Sequence, residues 1–296
     1  MTRIGFIGLG SMGYQMAARL AEKGYDLVVY NRSKDKVIKF SREFRARIAE
    51  NPSNVGNSCD VIHIMVSDDM AVLEVFLRSE GLIHSLNKNK IVIQQSTITP
   101  QVSTLLMNLV NNKGAKYVEA PLMGSVSEAR KGELVTYVAG DEEDTEIDSI
   151  RVLSRKVVYV GPVPQASALK LAVNNIFLAI VASMAESLAL CEAYGIDARK
   201  FLSIVKETTW MKNIIERYEE RGLNPDFPVR FKMELASKDS RYVANALEYV
   251  GMPSHVSAAV ASLYAQASLN NYALKDYSNI LHFMLKVGRE KRKLNI

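Results

Sequence analysis

Gly8-Leu9-Gly10-Ser11-Met12-Gly13 follows an apolar run at 3–9 that is rich in Ile and Phe. It opens a stretch, 12–22, whose apolar residues recur at helical spacing before Gly24. G-x-G-x-x-G is a weak pattern by itself. Between a strand and a helix it is specific, because each glycine there has a physical task. Gly8 permits the tight turn, Gly10 lets the backbone approach a pyrophosphate, and Gly13 lets helix and strand pack closely. The helix N-terminus presents unpaired N–H groups and a partial positive charge to phosphate oxygens. Gly8, Leu9, Gly10, Ser11, Met12 and Gly13 are therefore candidate residues for binding a dinucleotide.

The surrounding chain supports that reading. Runs at 26–30, 61–66, 90–95, 115–119, 134–139 and 157–160 read as further strands, separated for the most part by helical patterns. The alternation predicts an α/β fold of the Rossmann type, a doubly wound, mostly parallel sheet with right-handed crossovers. Near Gly161 the pattern changes. Residues 166–194 read as one helix of about 40 Å at 1.5 Å per residue. It is apolar nearly all round and is expected to be buried. Gly195 suits the position just past its end, and Asp197 suits the cap of the next helix. Further helices are expected at 198–207, 211–221, 231–250, 254–270 and 276–287, with no strand among them. The chain is thus expected to divide into a Rossmann domain at 1–162 and an all-helical domain at 163–296, joined by the long helix.

The second strand ends in Tyr30-Asn31-Arg32-Ser33. A site for NAD usually carries an acidic residue there, for the ribose 2′-hydroxyl. Here Asp26 begins the strand instead of ending it, and Arg32 offers a guanidinium fork suited to a phosphate. Asn31 and Ser33 add hydrogen-bonding groups. NADP(H) is expected, with NAD(H) as the other possibility.

Composition narrows the class. The 296 residues are 48% apolar and 23% charged, which suits a folded globular chain. Thirty-seven basic and 32 acidic residues leave a net charge of +5. The one basic cluster, Arg289, Lys291, Arg292 and Lys293, reads as a solvated helix end, so no nucleic-acid partner is expected. Cys59 and Cys191 cannot form a disulfide framework, and the four histidines show no ligand spacing, so no metal is expected. The apolar stretch 169–190 contains Lys170, Asn174, Asn175, Ser183 and Glu186 and reads as too interrupted for a membrane span. A strand pattern begins within three residues of the start. No leader and a cytoplasmic location are expected.

Beyond these features, the chain resembles the β-hydroxyacid dehydrogenase family, of which 3-hydroxyisobutyrate dehydrogenases are the best-known members. The resemblance runs over essentially its whole length. It begins with Phe6-Ile7-Gly8-Leu9-Gly10-Ser11-Met12-Gly13 and continues in Met65-Val66-Ser67-Asp68, which is similar to a family loop lying along the cofactor. Gln95-Ser96-Thr97 through Pro100 resembles the family's D-x-S-T-x-x-P, with Gln94 at the usual acidic position. This implies that Thr97 and Ser96 lie beside the nicotinamide ribose, with Ser96 also reaching substrate. Ala120-Pro121-Leu122-Met123-Gly124-Ser125 resembles A-P-V-S-G-G, whose backbone amides hold a substrate carboxylate. Met123 replaces the serine and Ser125 the second glycine. Lys170-Leu171-Ala172-Val173-Asn174 matches the family's K-L-x-x-N. It implies Lys170 as catalytic acid and base and Asn174 as its partner on substrate. The preceding Gly161-Pro162-Val163-Pro164-Gln165-Ala166 departs from G-x-x-G-x-G at Pro164 and Ala166. Lys238-Asp239 matches the family's K-D, which implies Lys238 on the cofactor and Asp239 near substrate. Phe231 stands where an aromatic covers the nicotinamide, and Trp210 lies in the region that walls the substrate pocket.

The resemblance implies hydride transfer between a nicotinamide and a small hydroxyacid or aldehyde acid, in a homodimer or homotetramer. A 3-hydroxyisobutyrate-like dehydrogenase is the first reading. An NADPH-dependent glyoxylate or succinic semialdehyde reductase is its alternative. Imine reductases share the fold but usually lack the lysine, and 6-phosphogluconate dehydrogenase has a much longer helical domain. A catalytically silent cofactor-binding scaffold is the alternative of another class.

Overall fold

The computed structural model describes residues 3–144, 146–209 and 211–293. It consists of two compact units, Met1–Leu171 and Ala172–Ile296. The division falls inside the long helix, beyond the expected boundary at 162/163. The first turns of that helix pack with the sheet unit, which the apolar pattern could not show.

In the first unit, strands and helices run β1 (Ile4–Ile7), α1 (Ser11–Glu22), β2 (Leu27–Tyr30), α2 (Lys34–Phe44), β3 (Arg47–Ile48), α3 (Pro52–Ser58), β4 (Val61–Ile64) and α4 (Asp69–Leu77). They continue with β5 (Ile91–Gln94), α5 (Pro100–Asn111), β6 (Lys116–Glu119), β7 (Leu122–Met123), α6 (Val126–Lys131), β8 (Leu134–Ala139), α7 (Asp148–Leu153) and β9 (Ser154–Gly161). Among the described residues the sheet has the order β3-β2-β1-β4-β5-β6-β8-β7, with β9 also on β8. Its pairs from β3 to β6 are parallel, β8 is antiparallel to β6 and β7, and β9 is parallel to β8. This is the Rossmann-type sheet expected. The two-residue strands β3 and β7 lay below what periodicity can register.

The central strands β1 and β4 are buried throughout, and β2, β5 and β6 at three of their four residues, as parallel strands under two helix layers must be. Ile4, Phe6, Val29, Ile93 and Val118 pack with Met16 and Leu20 of α1. Ile7, Val28, Ile62, Val92 and Tyr117 pack with Val55, Phe76 and Leu106 on the other face. Each fully buried side chain of this size stabilises by about 1.5–3 kcal/mol. Helix starts follow their caps. Asn51 accepts from the Asn54 N–H with Pro52 behind it, Asp68 accepts from Ala71, and Thr99 accepts from Val102 with Pro100 behind it.

His63 of β4 is wholly buried and stacks on Phe6, ring centroids 5.7 Å apart. Its Nδ1 lies 2.8 Å from Gln95 Oε1 and its Nε2 2.8 Å from Ser149 Oγ. Nδ1–H donating to the amide oxygen and Nε2 accepting from the hydroxyl satisfies both nitrogens in the neutral ring. Burial holds this imidazole down to about 4. The unfolded chain binds a proton near pH 6.5, so it takes up more protons than the fold between about pH 6.5 and 4. Stability is expected to fall by about 3 kcal/mol across that window as pH is lowered. Urea unfolding of wild type and His63→Gln from pH 7.5 to 4.5 checks this. An unchanged slope in the variant would assign the acid sensitivity to other groups.

The second unit is helical: α8 (Gln165–Ala193), shared with the first, then α9 (Ala198–Lys206), α10 (Lys212–Leu223), α11 (Met233–Tyr249), α12 (His255–Ala267) and α13 (Ile280–Lys293). Short π and 3-10 turns at Ser268–Tyr272 and Tyr277–Asn279 break the stretches expected to be continuous at 254–270 and 276–287. Gly195 has φ 82°, and Asp197 accepts from the N–H groups of Arg199 and Lys200, as expected for those two positions. Leu178, Val181, Met184, Ala185 and Leu188 of α8 join Leu202, Ile215, Tyr264, Ile280 and Leu281 in the core. The helix is not buried all round. Ile176 and Leu190 are 63% and 61% exposed, on a stripe with Ala172, Ser183 and Glu186. Contrary to the expectation for 169–190, α8 is long and apolar enough by composition to cross a membrane, and 44% of its most apolar window is buried in the fold.

Candidate active site

The three glycines of the first loop meet three different surroundings. Gly8 has φ 102°, and a Cβ there would collide with the Met65 carbonyl. A Cβ on Gly13 would strike the Gly8 carbonyl, so helix and strand close on each other only without it. A Cβ on Gly10 would meet nothing within 4 Å. That open side is where a diphosphate can reach the backbone. No side chain caps α1 and no acidic residue stands in its first turn, so its N-terminal amides face an anion without competition from a carboxylate. These residues fit a dinucleotide.

At the end of β2, Asn31 accepts from the Leu9 N–H at 2.8 Å through Oδ1 and donates to the Ser33 carbonyl at 3.2 Å. It therefore fixes the glycine loop against the turn that carries Arg32. Leu9 itself is buried, its amide engaged. Arg32 projects outward with its side chain 86% exposed and Glu74 3.8 Å away. Its guanidinium is available to a phosphate. Met65 and Val66 are half-buried beyond β4, and the exposed Ser67 donates to Asp68 at 2.6 Å.

Ser96 is 1% exposed and braces two loops. Its Oγ accepts from the Val66 N–H at 2.9 Å, while Gln94 Oε1 and Nε2 bind its own N–H and carbonyl at 2.8 and 3.0 Å. Gln94 thereby closes a local turn with its amide. Thr97 is half-buried beside it. In the substrate loop, Gly124 is exposed with φ 137°, and Ser125 starts α6. Glu128 closes a capping box there, accepting from the Ser125 N–H at 3.1 Å and from its hydroxyl. The Ser125 hydroxyl, with further bonds from Ser127 and the backbone, holds the Glu128 carboxyl down to about 2. Met123, half-buried in β7, accepts a hydrogen bond at Sδ from Lys170 Nζ at 3.1 Å. Lys170 is 9% exposed.

Asn174 lies one turn further along α8 and is 1% exposed. Its Nδ2 donates to Asp239 Oδ2 at 2.7 Å. An ionised carboxylate only accepts, so the nitrogen must face Asp239 and the amide oxygen is turned away. That Oδ1 has no hydrogen-bond partner among the described residues. Asp239 is 2% exposed and also pairs with Lys238, whose Nζ stands 2.9 Å from Oδ1 and 5.0 Å from the Tyr242 ring centroid. Asp239 orients Asn174. Phe231 is half-buried against Tyr277, ring centroids 5.4 Å apart. Trp210 lies outside the described residues.

The first unit joins the glycine loop to Asn31 and to Met65, Val66 to Ser96, and, separately, Met123 to Lys170. The second gathers Asn174, Lys238 and Asp239. Asn31 as a loop brace and Ser96 as a bridge between strands could not be read from the sequence, since both depend on register between distant strands. Glu119 was missed altogether. Its one signal was a carboxylate ending an otherwise strand-like run.

A sheet of this order with an open glycine turn at a helix N-terminus defines a dinucleotide-binding protein of the Rossmann class. Residues 3–161 match the NAD binding domain of 6-phosphogluconate dehydrogenase, and residues 165–284 match the NAD-binding domain of NADP-dependent 3-hydroxyisobutyrate dehydrogenase. The chain is 29% identical over 293 residues to glyoxylate/succinic semialdehyde reductase 1 of Arabidopsis thaliana, covering 97% of this chain and 99% of that one. It is 28% identical over 293 residues to the mitochondrial 3-hydroxyisobutyrate dehydrogenase of Mus musculus, covering 96% and 87%. The Mycobacterium tuberculosis 3-hydroxyisobutyrate dehydrogenase determined with L-serine has the same fold, with TM-score 0.83 at 21% identity over 96% and 99% of the two chains. The chain also matches N-PAC nuclear factors, of whose length it spans 61% in Danio rerio and 50% in Homo sapiens. The chain belongs to the β-hydroxyacid dehydrogenase family. It is an NAD(P)-dependent dehydrogenase acting on CH–OH groups, and its cofactor is a nicotinamide dinucleotide.

Proposed function

We propose that the protein is an NADP(H)-dependent 3-hydroxyacid dehydrogenase, with Lys170 as the general acid and base. The observation that carries this is the place of Lys170, 9% exposed, with its ammonium bonded to Met123 beside Gly124 and Ser125 and one helical turn before Asn174. The nicotinamide, when bound, gives or takes the hydride at the carbinol carbon. In reduction Lys170 delivers a proton to the developing alkoxide oxygen and is left as the amine. In oxidation the amine takes the hydroxyl proton. Asn174, oriented by Asp239, presents an acceptor oxygen suited to a substrate hydroxyl. Gly124 and Ser125 are proposed at the substrate carboxylate. Asn31, Arg32, Ser33, Thr97, Phe231 and Lys238 are proposed on the cofactor. The candidate oxidised substrates are small aldehyde acids such as methylmalonate semialdehyde, succinic semialdehyde, glyoxylate and tartronate semialdehyde. Self-assembly belongs to the same proposal, supported by Ile176 and Leu190 exposed on α8.

The test is a panel of these aldehyde acids, with NADPH and NADH oxidation followed in parallel. NADPH is expected to be the better cofactor. Arg32→Ala is expected to raise KM for NADPH about ten- to a hundredfold, the worth of a charged hydrogen bond, and to leave NADH within about twofold. Equal effects on both cofactors would overturn the role given to Arg32. NADPH binding without turnover on any substrate would favour the silent scaffold.

A further inference from the structure

Glu119 ends β6 with a carboxylate that is 1% exposed. Its Oε2 accepts from the N–H groups of Ala166 and Ser167 at 3.1 and 3.3 Å, and its Oε1 accepts from the Ser167 hydroxyl. These donors form the first turn of α8. Four N–H groups at such an end have no partner within the helix, and a negative charge there opposes the dipole favourably. Burial pushes the carboxyl up, while hydrogen bonds from Ser103, Ser167 and Ala166 draw it back. The cap comes from a strand far away in sequence.

The same segment grips the helix a second time. Four residues after Glu119, Met123 takes the hydrogen bond from Lys170, and Lys170 stands three residues after Ser167. One stretch of chain, Glu119 to Met123, therefore sets both the start of α8 and the place of its lysine. A carboxylate receiving two backbone bonds and one hydroxyl bond fixes the first turn in rise and in rotation. Rotation about the helix axis is what aims a side chain.

We infer that Glu119 is a positioning residue for the dehydrogenase reaction, acting through Lys170 by fixing the first turn of α8. The inference rests on the reading of Lys170 as proton donor. Displacement of a catalytic group by about 1 Å can cost about a hundredfold in rate, so a loosened first turn is costly even where cofactor binding is intact.

The experiment is a double-mutant cycle. Glu119→Gln keeps the shape but removes the charge and sets an amide donor among N–H donors. Its kcat is expected to fall about ten- to a hundredfold, with the Kd for NADPH, read from cofactor fluorescence, within about twofold of wild type. Ser167→Ala removes only the hydroxyl bond and is expected to lose a few-fold, about the worth of one hydrogen bond. In the Lys170→Ala background both substitutions are expected to change residual turnover by less than about twofold, because groups acting as one unit are not additive. Should Glu119→Gln fail to fold, Ser167→Ala carries the cycle alone. Full additivity, or a folded Glu119→Gln with wild-type kcat while Lys170→Ala is inactive, overturns the positioning role and leaves the Lys170 reading standing. Wild-type turnover in Lys170→Ala overturns that reading and the role of Glu119 with it.

Discussion

Lys170→Ala is expected to lower kcat about 10²- to 10⁴-fold, the range supplied by a positioned proton donor, with NADPH affinity within about twofold of wild type. The split follows from where the residue stands. The glycine loop lies at the end of β1, whereas Lys170 stands on α8, bonded to Met123. Alanine is the best helix former, so α8 itself should tolerate the change. Lys170→Arg is expected to fail as well, because a guanidinium keeps its proton at any pH the protein survives. Steady-state kinetics over pH 6 to 10 with NADPH and the best aldehyde acid of the panel make the measurement. Near-full turnover in Lys170→Ala would remove the lysine from the chemistry.

Asp276→Ala is expected to cost about 3–5 kcal/mol of stability, because it strands a buried guanidinium. Arg221 is 6% exposed and Asp276 wholly buried. Arg221 donates from Nε to Oδ1 at 2.9 Å and from Nη2 to Oδ2 at 3.0 Å. The carboxylate also accepts from the N–H groups of Arg230, Phe231 and Ser278 at 2.9, 3.1 and 3.1 Å, and from the Ser278 hydroxyl at 2.7 Å. Burial alone would raise the Asp276 carboxyl, but the bonds from Arg221 and Ser278 prevail and hold it below the usual carboxylate range. The Arg221 guanidinium lies 4.8 Å from the Tyr277 ring centroid, so the charge is covered on that side too. One carboxylate thus ties the end of α10, the segment before α11 and the turn before α13. Since α11 carries Lys238 and Asp239, turnover should fall together with stability. Urea unfolding of wild type, Asp276→Ala and Arg221→Met checks the magnitude. A loss below about 1 kcal/mol would place the pair with exposed ion pairs, whose net worth is small.

Much of the fold was legible because its signals are local. Seven strands, the glycine turn, the long helix, Gly195 and Asp197 all declare themselves in periods of 2 or 3.6 or in the conformational needs of one residue. The same holds for the G-x-G-x-x-G pattern and for the oddity of a lysine in an apolar helix. What a side chain faces across the fold has no such period. That the Asn31 amide holds Leu9 only the structure shows. The same is true of the Ser96 hydroxyl, which accepts from the Val66 N–H. The sequence presented His63 as one scattered histidine, whereas the pairing of β4 between β1 and β5 buries that ring on Phe6.

By itself, then, the sequence determined the α/β architecture and the dinucleotide turn, since backbone preference is written residue by residue. Only the tertiary structure decided that Glu119 caps α8, that Met123 holds Lys170 and that Asp239 turns the Asn174 amide. Each of these is a hydrogen bond between groups 47 or 65 residues apart, except the Glu119 bonds to Ser167 at 48. Such bonds exist only after sheet register and helix packing have brought their partners within 3 Å or so, the reach of a hydrogen bond.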